Sequence, residues 1–311
     1  MMKLKSTQIF IFFFLCSVSA TAQINVEDSS AQAVTYWNKG DVQTYVITNE
    51  RLSLKGADTS ELESGTYEVT LEVLDSTENS YTLQWVSNVV GTRAEDVLRQ
   101  KLLEVSGNVR IIYKTDEMGT FLEVVNWEEL RDRIDKAIEM LVGMDGDTKG
   151  NPIAEAVRKL YSTKEAIESV VIKDIQQLHM FFGVKYLLNN PVEMELKVPN
   201  IIGPEPFDAR LVVELKDIYP EDSLFVLTAL QQVDEAQLEN SVFEYLSMIA
   251  KETGGALPLR EDLKGLKNEV FTVSSMHDSG WVLYSEQTNT VSLGTITKIE
   301  KRIIRLKEED M

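Results

Sequence analysis

Residues 67–85 read YEVTLEVLDSTENSYTLQW, and this stretch decides the fold. Apolar side chains alternate with polar ones on both sides of a polar segment from Asp75 to Ser80. A period of two places Leu71 and Trp85 on one face of a β-hairpin and Glu72 on the opposite face. Asp, Ser, Thr and Asn in the middle are typical of a turn. The stretch therefore predicts two antiparallel strands with one buried and one solvated face.

The same alternation recurs along most of the chain. The predicted strands are 42–54, 67–74, 81–87, 109–114, 121–125, 192–198, 209–216, 224–231, 270–275, 281–286 and 291–304. Helical periodicity and capping residues predict helices at 93–105 and 127–141, a third that opens at Asn151-Pro152 and restarts from Ser162 to Phe182, and a last one at 235–251. The apolar stripe of the last helix is expected to face the core; it comprises Leu238, Val242, Tyr245, Leu246 and Ile249.

Two parts of the chain repeat one order of elements, namely three strands, a helix and a hairpin. The first copy spans 42–125 and the second spans 192–286, with a helical segment between them. The sequence thus predicts an α+β fold: a curved antiparallel sheet built from a duplicated unit, with helices on one side and a central helical insertion. A chance repetition of this order, which antiparallel α+β chains also show, remains the alternative.

Four segments are expected along the chain. They are a signal peptide at 1–22, a first β-rich unit at 23–126, a helical segment at 127–188 and a second β-rich unit at 189–307. The first segment carries Lys3 and Lys5, then an apolar run from Ile9 to Val18, then the small-x-small sequence Ala20-Thr21-Ala22. This order is typical of a secretory signal, and the apolar run is shorter than the roughly 20 residues of a membrane span. We therefore expect export to the periplasm, cell surface or medium, cleavage before Gln23, and no stable membrane insertion afterwards.

The composition restricts the partners. The chain has a net charge of −19, which becomes −21 once Lys3 and Lys5 are removed with the signal. A protein this acidic repels the negatively charged phosphates of nucleic acid, and nucleic-acid binding is therefore excluded. The single cysteine, Cys16, lies within the predicted signal, so the remainder has no thiol for disulfides, catalysis or metal binding.

The two histidines do not indicate an active site. His179 lies in a helical pattern and is expected to be packed or on the surface, whereas His277 lies in a turn beside Asp278 and Ser279. Neighbouring turn residues cannot form a catalytic relay, because nucleophile, base and acid must converge from different elements. We assign no catalytic residue and expect no cofactor. Enzymatic activity stays open, since paired carboxylates for glycoside hydrolysis cannot be singled out among 50 acidic residues.

The loop from Asp145 to Asn151 is the best metal candidate, with Asp145, Asp147 and Asn151 as weak ligand candidates. A calcium loop needs an oxygen ligand at its fifth position and a bidentate glutamate at its twelfth. Those positions hold Lys149 and Ala156. The sequence therefore favours an ordinary turn between two helices over a metal site.

Three short stretches carry a resemblance to known proteins. They are Asn38-Lys39-Gly40-Asp41, the segment from Met118 through Phe121 to Glu129, and Asp278-Ser279-Gly280-Trp281. With the signal peptide and β-meanders, they resemble uncharacterised secreted proteins of Gram-negative bacteria. This resemblance implies an exported location and a fold type, and no activity.

Two functions fit these features. One is a non-enzymatic binding protein that takes a hydrophobic or lipid-like ligand in a groove of the curved sheet. The other is a structural or protein-interaction module, with an envelope protein as partner and no small-molecule ligand. Core and groove use the same apolar residues, so the sequence leaves both open.

Overall fold

The computed structural model describes residues 23–56, 58–88, 109–143, 158 and 162–307. Within these ranges, fourteen strands form two antiparallel sheets. The strands of the small sheet are β1 (Ile24–Asn25), β2 (Ser30–Gln32) and β8 (Lys185–Leu187). The strands of the large sheet are β3 (Val42–Lys55), β4 (Asp58–Ser76), β5 (Ser80–Asn88), β6 (Val109–Asp116), β7 (Phe121–Val124), β9 (Val192–Val198), β10 (Phe207–Tyr219), β11 (Leu224–Val233), β12 (Lys267–His277), β13 (Val282–Leu293) and β14 (Ile296–Leu306).

The large sheet has the order β7-β6-β5-β4-β3-β14-β13-β12-β11-β10-β9 and is not closed. Neighbouring strands are antiparallel throughout, and β14, the last of the described strands, pairs with β3, the first strand of this sheet. The predicted α+β class and curved antiparallel sheet are thus confirmed.

The hairpin of residues 67–85 folds as its alternation predicts. Leu71 and Trp85 are register partners on β4 and β5, and their exposed fractions are 0% and 2%. Glu72 lies on the opposite face, where its carboxylate accepts a hydrogen bond from Gln84 Nε2 at 3.2 Å. The assignment of the two faces is therefore confirmed.

Four α-helices are described: α1 (Trp127–Gly143), α2 (Lys164–Val171), α3 (Lys173–His179) and α4 (Glu235–Thr253). The continuous helix expected from Ser162 to Phe182 is wrong in detail. Thr163, and not Ser162, caps α2 through its side chain, and Ile172 has φ −103° and ψ 11°, which separates α2 from α3. None of the described helices is both long and apolar enough to cross a membrane.

Helices α3 and α4 pack on the same face of the large sheet, which we call the inner face. Gln177 of α3 contacts Ser285 of β13 on this face. Leu238 of α4 packs with Phe207 and Val233 of the sheet. Packing of these two helices on one side of the sheet agrees with the sequence prediction.

The apolar stripe predicted for α4 is only partly buried. Leu238 is buried, but Tyr245 and Leu246 have exposed fractions of 37% and 38%. The apolar cluster beneath α4 contains Leu238 and Val242, and neither Tyr245 nor Leu246 belongs to it. The expectation that Tyr245 and Leu246 face the core is therefore wrong.

The strand predicted at 291–304 is also divided. Val291 to Leu293 end β13, and β14 begins at Ile296. Gly294 between them has φ +57°, a conformation that glycine adopts without steric cost. A tight turn therefore replaces the expected continuous strand.

The element order of the predicted duplication recurs in the sheet. Strands β9, β10 and β11, helix α4, and the hairpin β12–β13 follow one another in the second part. Strands β3, β4 and β5 and the hairpin β6–β7 give the same order in the first, where the expected helix 93–105 lies outside the described residues. A shared origin of the two parts, and the four segment boundaries, stay predictions.

The segment 33–37 runs between two hairpin turns, one from each part. Thr35 Oγ1 donates to the carbonyl oxygen of Glu117 in the β6–β7 turn, at 3.2 Å. Trp37 is buried and stacks on Trp281 beyond the β12–β13 turn, with 4.6 Å between ring centroids. This segment therefore joins the two parts of the sheet.

Candidate functional site

The inner face changes character along a line that crosses five strands. On the side that α3 covers, the row of register partners contains Ser274, Ser285, Ile304, Ile47 and Tyr67. The next inner-face row, two residues along each strand, contains Thr272, Gln287, Arg302, Asn49 and Gly65. The third row contains Val270, Asn289, Glu300, Arg51 and Glu63. Alternate residues share a face, so the inner face of β3 and β14 changes from Ile47 and Ile304 to Asn49 and Arg302, whereas β12 and β13 already carry Ser274 and Ser285 in the first row.

A cleft of about 710 Å³ lies over the two polar rows. We call it the polar cleft; its floor includes Asn49, Arg51, Gly65, Gln287 and Arg302, and α3 forms one wall. This volume falls within the range of small-molecule sites in proteins, roughly 300–1,000 Å³. The size and the polar floor make it the candidate binding site of the described structure.

Gln177 fixes the wall of the cleft to its floor. Its side chain is 2% exposed, and its Nε2 donates to Ser285 Oγ at 3.0 Å and to the carbonyl oxygen of Arg302 at 3.3 Å. A carbonyl oxygen can only accept, so this contact sets which way the amide points. The Oε1 atom is then left buried without a hydrogen-bond partner among the described residues.

Arg302 forms a second connection between α3 and the sheet. Its Nε lies 3.0 Å from Asp174 Oδ1, and its Nη1 donates to the carbonyl oxygen of Lys173 at 3.3 Å. The Tyr67 hydroxyl donates to the same carboxylate at 2.6 Å. Burial, with the nearby Asp174 charge, raises the pKa of Tyr67 well above its usual range, so the phenol stays a donor. These contacts hold the cleft wall in place.

Gly65 leaves open space in the floor. It lies inside β4 opposite Asn49, where the register has no bulge and its φ is not positive. A Cβ atom added at this position would meet no atom within 4 Å. Neither the backbone conformation nor the packing therefore requires glycine at position 65. Another reason for a glycine within a strand is the close approach of a ligand.

The charges of the cleft are mostly paired. Arg51 lies 3.3 Å from Glu300 on the neighbouring strand. Lys301 also borders the cleft, but strand alternation places it on the opposite face from Arg302, where its ammonium group lies 3.1 Å from Glu286. Lys173 and Glu63 also line the cleft, and neither forms an ion pair with any residue that the structure describes. The cleft is therefore close to neutral in a protein of net charge −19.

His179 is buried in the core, which is one of the two locations, packed or on the surface, that the sequence predicts. Its Nδ1 lies 2.7 Å from the carbonyl oxygen of Gly119, so Nδ1 carries the proton. Its Nε2 lies 2.9 Å from the Tyr113 hydroxyl, which therefore donates. Burial lowers the pKa of His179 to about 4. Both ring nitrogens are used in packing contacts, and the imidazole is neutral near pH 7.

His277 forms a local turn contact, away from the polar cleft. Its Nδ1 lies 2.8 Å from Ser279 Oγ and 3.2 Å from Asp278 Oδ1. A catalytic relay uses opposite ring nitrogens for the nucleophile and the acid. Here both groups meet the same nitrogen, so the three residues do not have the geometry of a triad.

The metal candidates Asp145, Asp147 and Asn151 lie outside the described residues, so their loop stays a prediction. Among the residues that are described, no group of three or more metal-ligating side chains comes together.

The sequence did not indicate the polar cleft. Asn49, Arg51 and Arg302 have the polar character expected of a solvated strand face, and alternation alone shows only that they share a face with Ile47 and Ile304. The signal that could have found them is this break: an apolar inner row that turns polar within one strand. Recognising it as a cleft also requires the position of α3, which the strand sequences do not contain.

Comparison with known proteins adds no identification. No family model matches the chain, and no curated protein matches it. Among solved structures, the chain is similar to the crystal structure of a "putative thioesterase" from Novosphingobium aromaticivorans. The identity is 10%, the match covers 86% of this chain and 81% of that chain, and the TM-score is 0.13. A likeness of this degree carries no argument about fold or function.

Proposed function

We propose that this is an exported, non-enzymatic protein that binds a small ligand in the polar cleft. The observation that carries the proposal is an uncovered, polar part of the inner face with an unexplained glycine, Gly65, in its floor. Such a concave site with converging polar groups is the usual form of a small-molecule site. Export rests on the sequence of residues 1–22.

The lining of the cleft favours a polar ligand over the lipid-like ligand that a curved sheet suggests. A lipid chain placed against Asn49, Arg51 and Arg302 would remove water from these groups without replacing its hydrogen bonds. Each buried polar group left unpaired costs about 1–3 kcal/mol. A ligand with its own donors and acceptors avoids this penalty.

One observation favours the alternative of a protein-interaction module. A groove beside the C-terminal half of α4 contains the apolar side chains of Phe243, Met248, Leu257 and Pro258, with Glu244, Lys251 and Glu252 also in its lining. Exposed apolar patches often mark contact surfaces. If this alternative is right, substitutions in the α4 groove impair the function of the protein, and substitutions in the polar cleft do not.

Native mass spectrometry of protein purified from its own cell envelope tests the proposal. The wild type should carry a small-molecule adduct that disappears on denaturation. Gly65→Leu should lose this adduct because the new side chain enters the cleft, where there is space for it. Thr66→Leu, at the next position and on the opposite face of β4, is the matched control and should keep it.

Two results would contradict the proposal. Wild-type protein without an adduct under these conditions would argue against a resident ligand, and an adduct kept by Gly65→Leu would place binding outside the cleft. N-terminal sequencing of the same sample tests export, since cleavage at the expected site leaves Gln23 first.

A further inference from the structure

We propose that the ligand of the polar cleft is a short zwitterion of about tripeptide length, with its carboxylate at Lys173 and its ammonium group at Glu63. This inference rests on the proposed function of the cleft and names the class of its ligand.

The first argument is charge. Arg51 and Arg302 are already neutralised by carboxylates, whereas Lys173 and Glu63 carry unpaired charges of opposite sign among the described residues. Glu50 is the other unpaired carboxylate of the lining, and strand alternation places it on the opposite face from Arg51. A ligand with one charge of each sign would pair with both Lys173 and Glu63, and the net charge of the cleft would not change.

The second argument is distance. The carbonyl oxygen of Lys173 is held by Arg302 on β14, and Glu63 lies on β4, two strands away across β3. Two strand spacings and an offset of two residues along the strands put the backbones of Arg302 and Glu63 roughly 12 Å apart. Three extended residues span roughly 10 Å, and the long side chains of Lys173 and Glu63 cover the remainder. An unblocked tripeptide therefore has the length to connect the two charges.

The third argument is the chemistry between the charges. Asn49, Gln287 and Asn289 have amide side chains that both donate and accept, as a peptide backbone requires. Asn289 Oδ1 and Gln177 Oε1 are acceptors without a partner among the described residues, and both belong to residues that line the cleft. Rotation of the Asn289 side chain would offer its oxygen to a ligand N–H group, whereas two hydrogen bonds hold the Gln177 amide in place. Gly65 lets a ligand backbone come close to the strand.

Equilibrium dialysis with random tripeptide pools tests the inference on the full mature chain. One pool has free termini, a second is N-acetylated and a third is C-amidated. The wild type should retain the free pool, and each blocked pool should be retained about tenfold less, because one charge-assisted contact is lost.

Two charge variants make the test specific. Glu63→Gln should remove the preference for a free N-terminus and keep the preference for a free C-terminus. Lys173→Gln should show the reverse pattern. Both positions are exposed, so the fold should tolerate the changes. Lys264→Gln and Glu221→Gln are matched controls, since both residues are exposed and neither forms an ion pair among the described residues; these variants should keep both preferences.

The outcomes separate this inference from the proposed function. Equal retention of free and blocked pools, or no retention of any pool, overturns the zwitterion. If Gly65→Leu nonetheless loses the native adduct, the cleft remains the binding site and only the ligand class is wrong. If the wild type has no adduct while the free pool binds with the expected pattern, the ligand class stands and the resident ligand of the proposed function is refuted.

Discussion

The inner face contains a filled part and an open part, although the same strands build both. Along β3, Tyr45 and Ile47 are fully buried, whereas Asn49 and Arg51 line the polar cleft two and four residues later. Backbone pairing to β14 continues without interruption through this change. The comparison teaches that strand geometry extends the sheet, while side-chain polarity decides where the helices cover it.

Truncation in the filled part should have the largest effect at Trp37. This ring stacks on Trp281 and meets Tyr81, His179 and Phe182 edge-on, so Trp37→Ala removes contacts with both parts of the chain. We expect a loss of about 3–5 kcal/mol in the free energy of unfolding, measured by urea denaturation followed by circular dichroism. A loss below about 1 kcal/mol would show that segment 33–37 does not join the two parts.

A pair of neighbouring substitutions sharpens the contrast between the two sheet faces. Leu71→Ala leaves a cavity in the filled part and should cost about 2–5 kcal/mol of unfolding free energy. Glu72→Ala, on the opposite face, should change it by about 0.5 kcal/mol or less. Urea denaturation of both variants provides the measurement, and similar losses would refute the assignment of faces.

The filled part should also respond to acid through His179. Its pKa is about 4 in the folded protein and about 6.5 when unfolded, so the unfolded chain binds more protons below neutrality. Stability should therefore fall as the pH drops from about 6.5 to about 4, by up to about 3 kcal/mol. Denaturation curves across this range should show a shallower pH dependence for His179→Gln. If His179→Gln left the pH dependence of the unfolding free energy unchanged, protonation of His179 would not destabilise the fold.

The open part should show the smallest effect. Gln287 Nε2 donates to Thr272 Oγ1 at 3.2 Å, and the side chain is only half-buried beside the cleft. Gln287→Leu should change the free energy of unfolding by about 0.5 kcal/mol or less, because water can replace the lost hydrogen bond. A loss similar to that of Leu71→Ala would mean that this region is core and not a cleft.

The sequence predicts individual strands and helices better than it predicts which parts of the sheet the helices cover. Alternation identified the hairpin with Leu71 and Trp85, because each buried residue has solvated neighbours on the same strand. Helical periodicity placed Tyr245 and Leu246 wrongly. An apolar stripe shows which side of a helix is apolar, but it does not show how far the sheet beneath the helix extends. The polar cleft was missed for a related reason, as Asn49 looks like a solvated residue until α3 is placed.

The pairing of β3 with β14 sets the order in which the protein can fold. Tyr45 is the register partner of Leu306, so the centre of the sheet cannot form until the last strand has been made. Contacts of such large sequence separation slow folding, because loop-closure entropy is lost before the contacts form. The two strands that meet at the centre of the sheet are therefore joined late, after the hairpins on either side of them can already have formed.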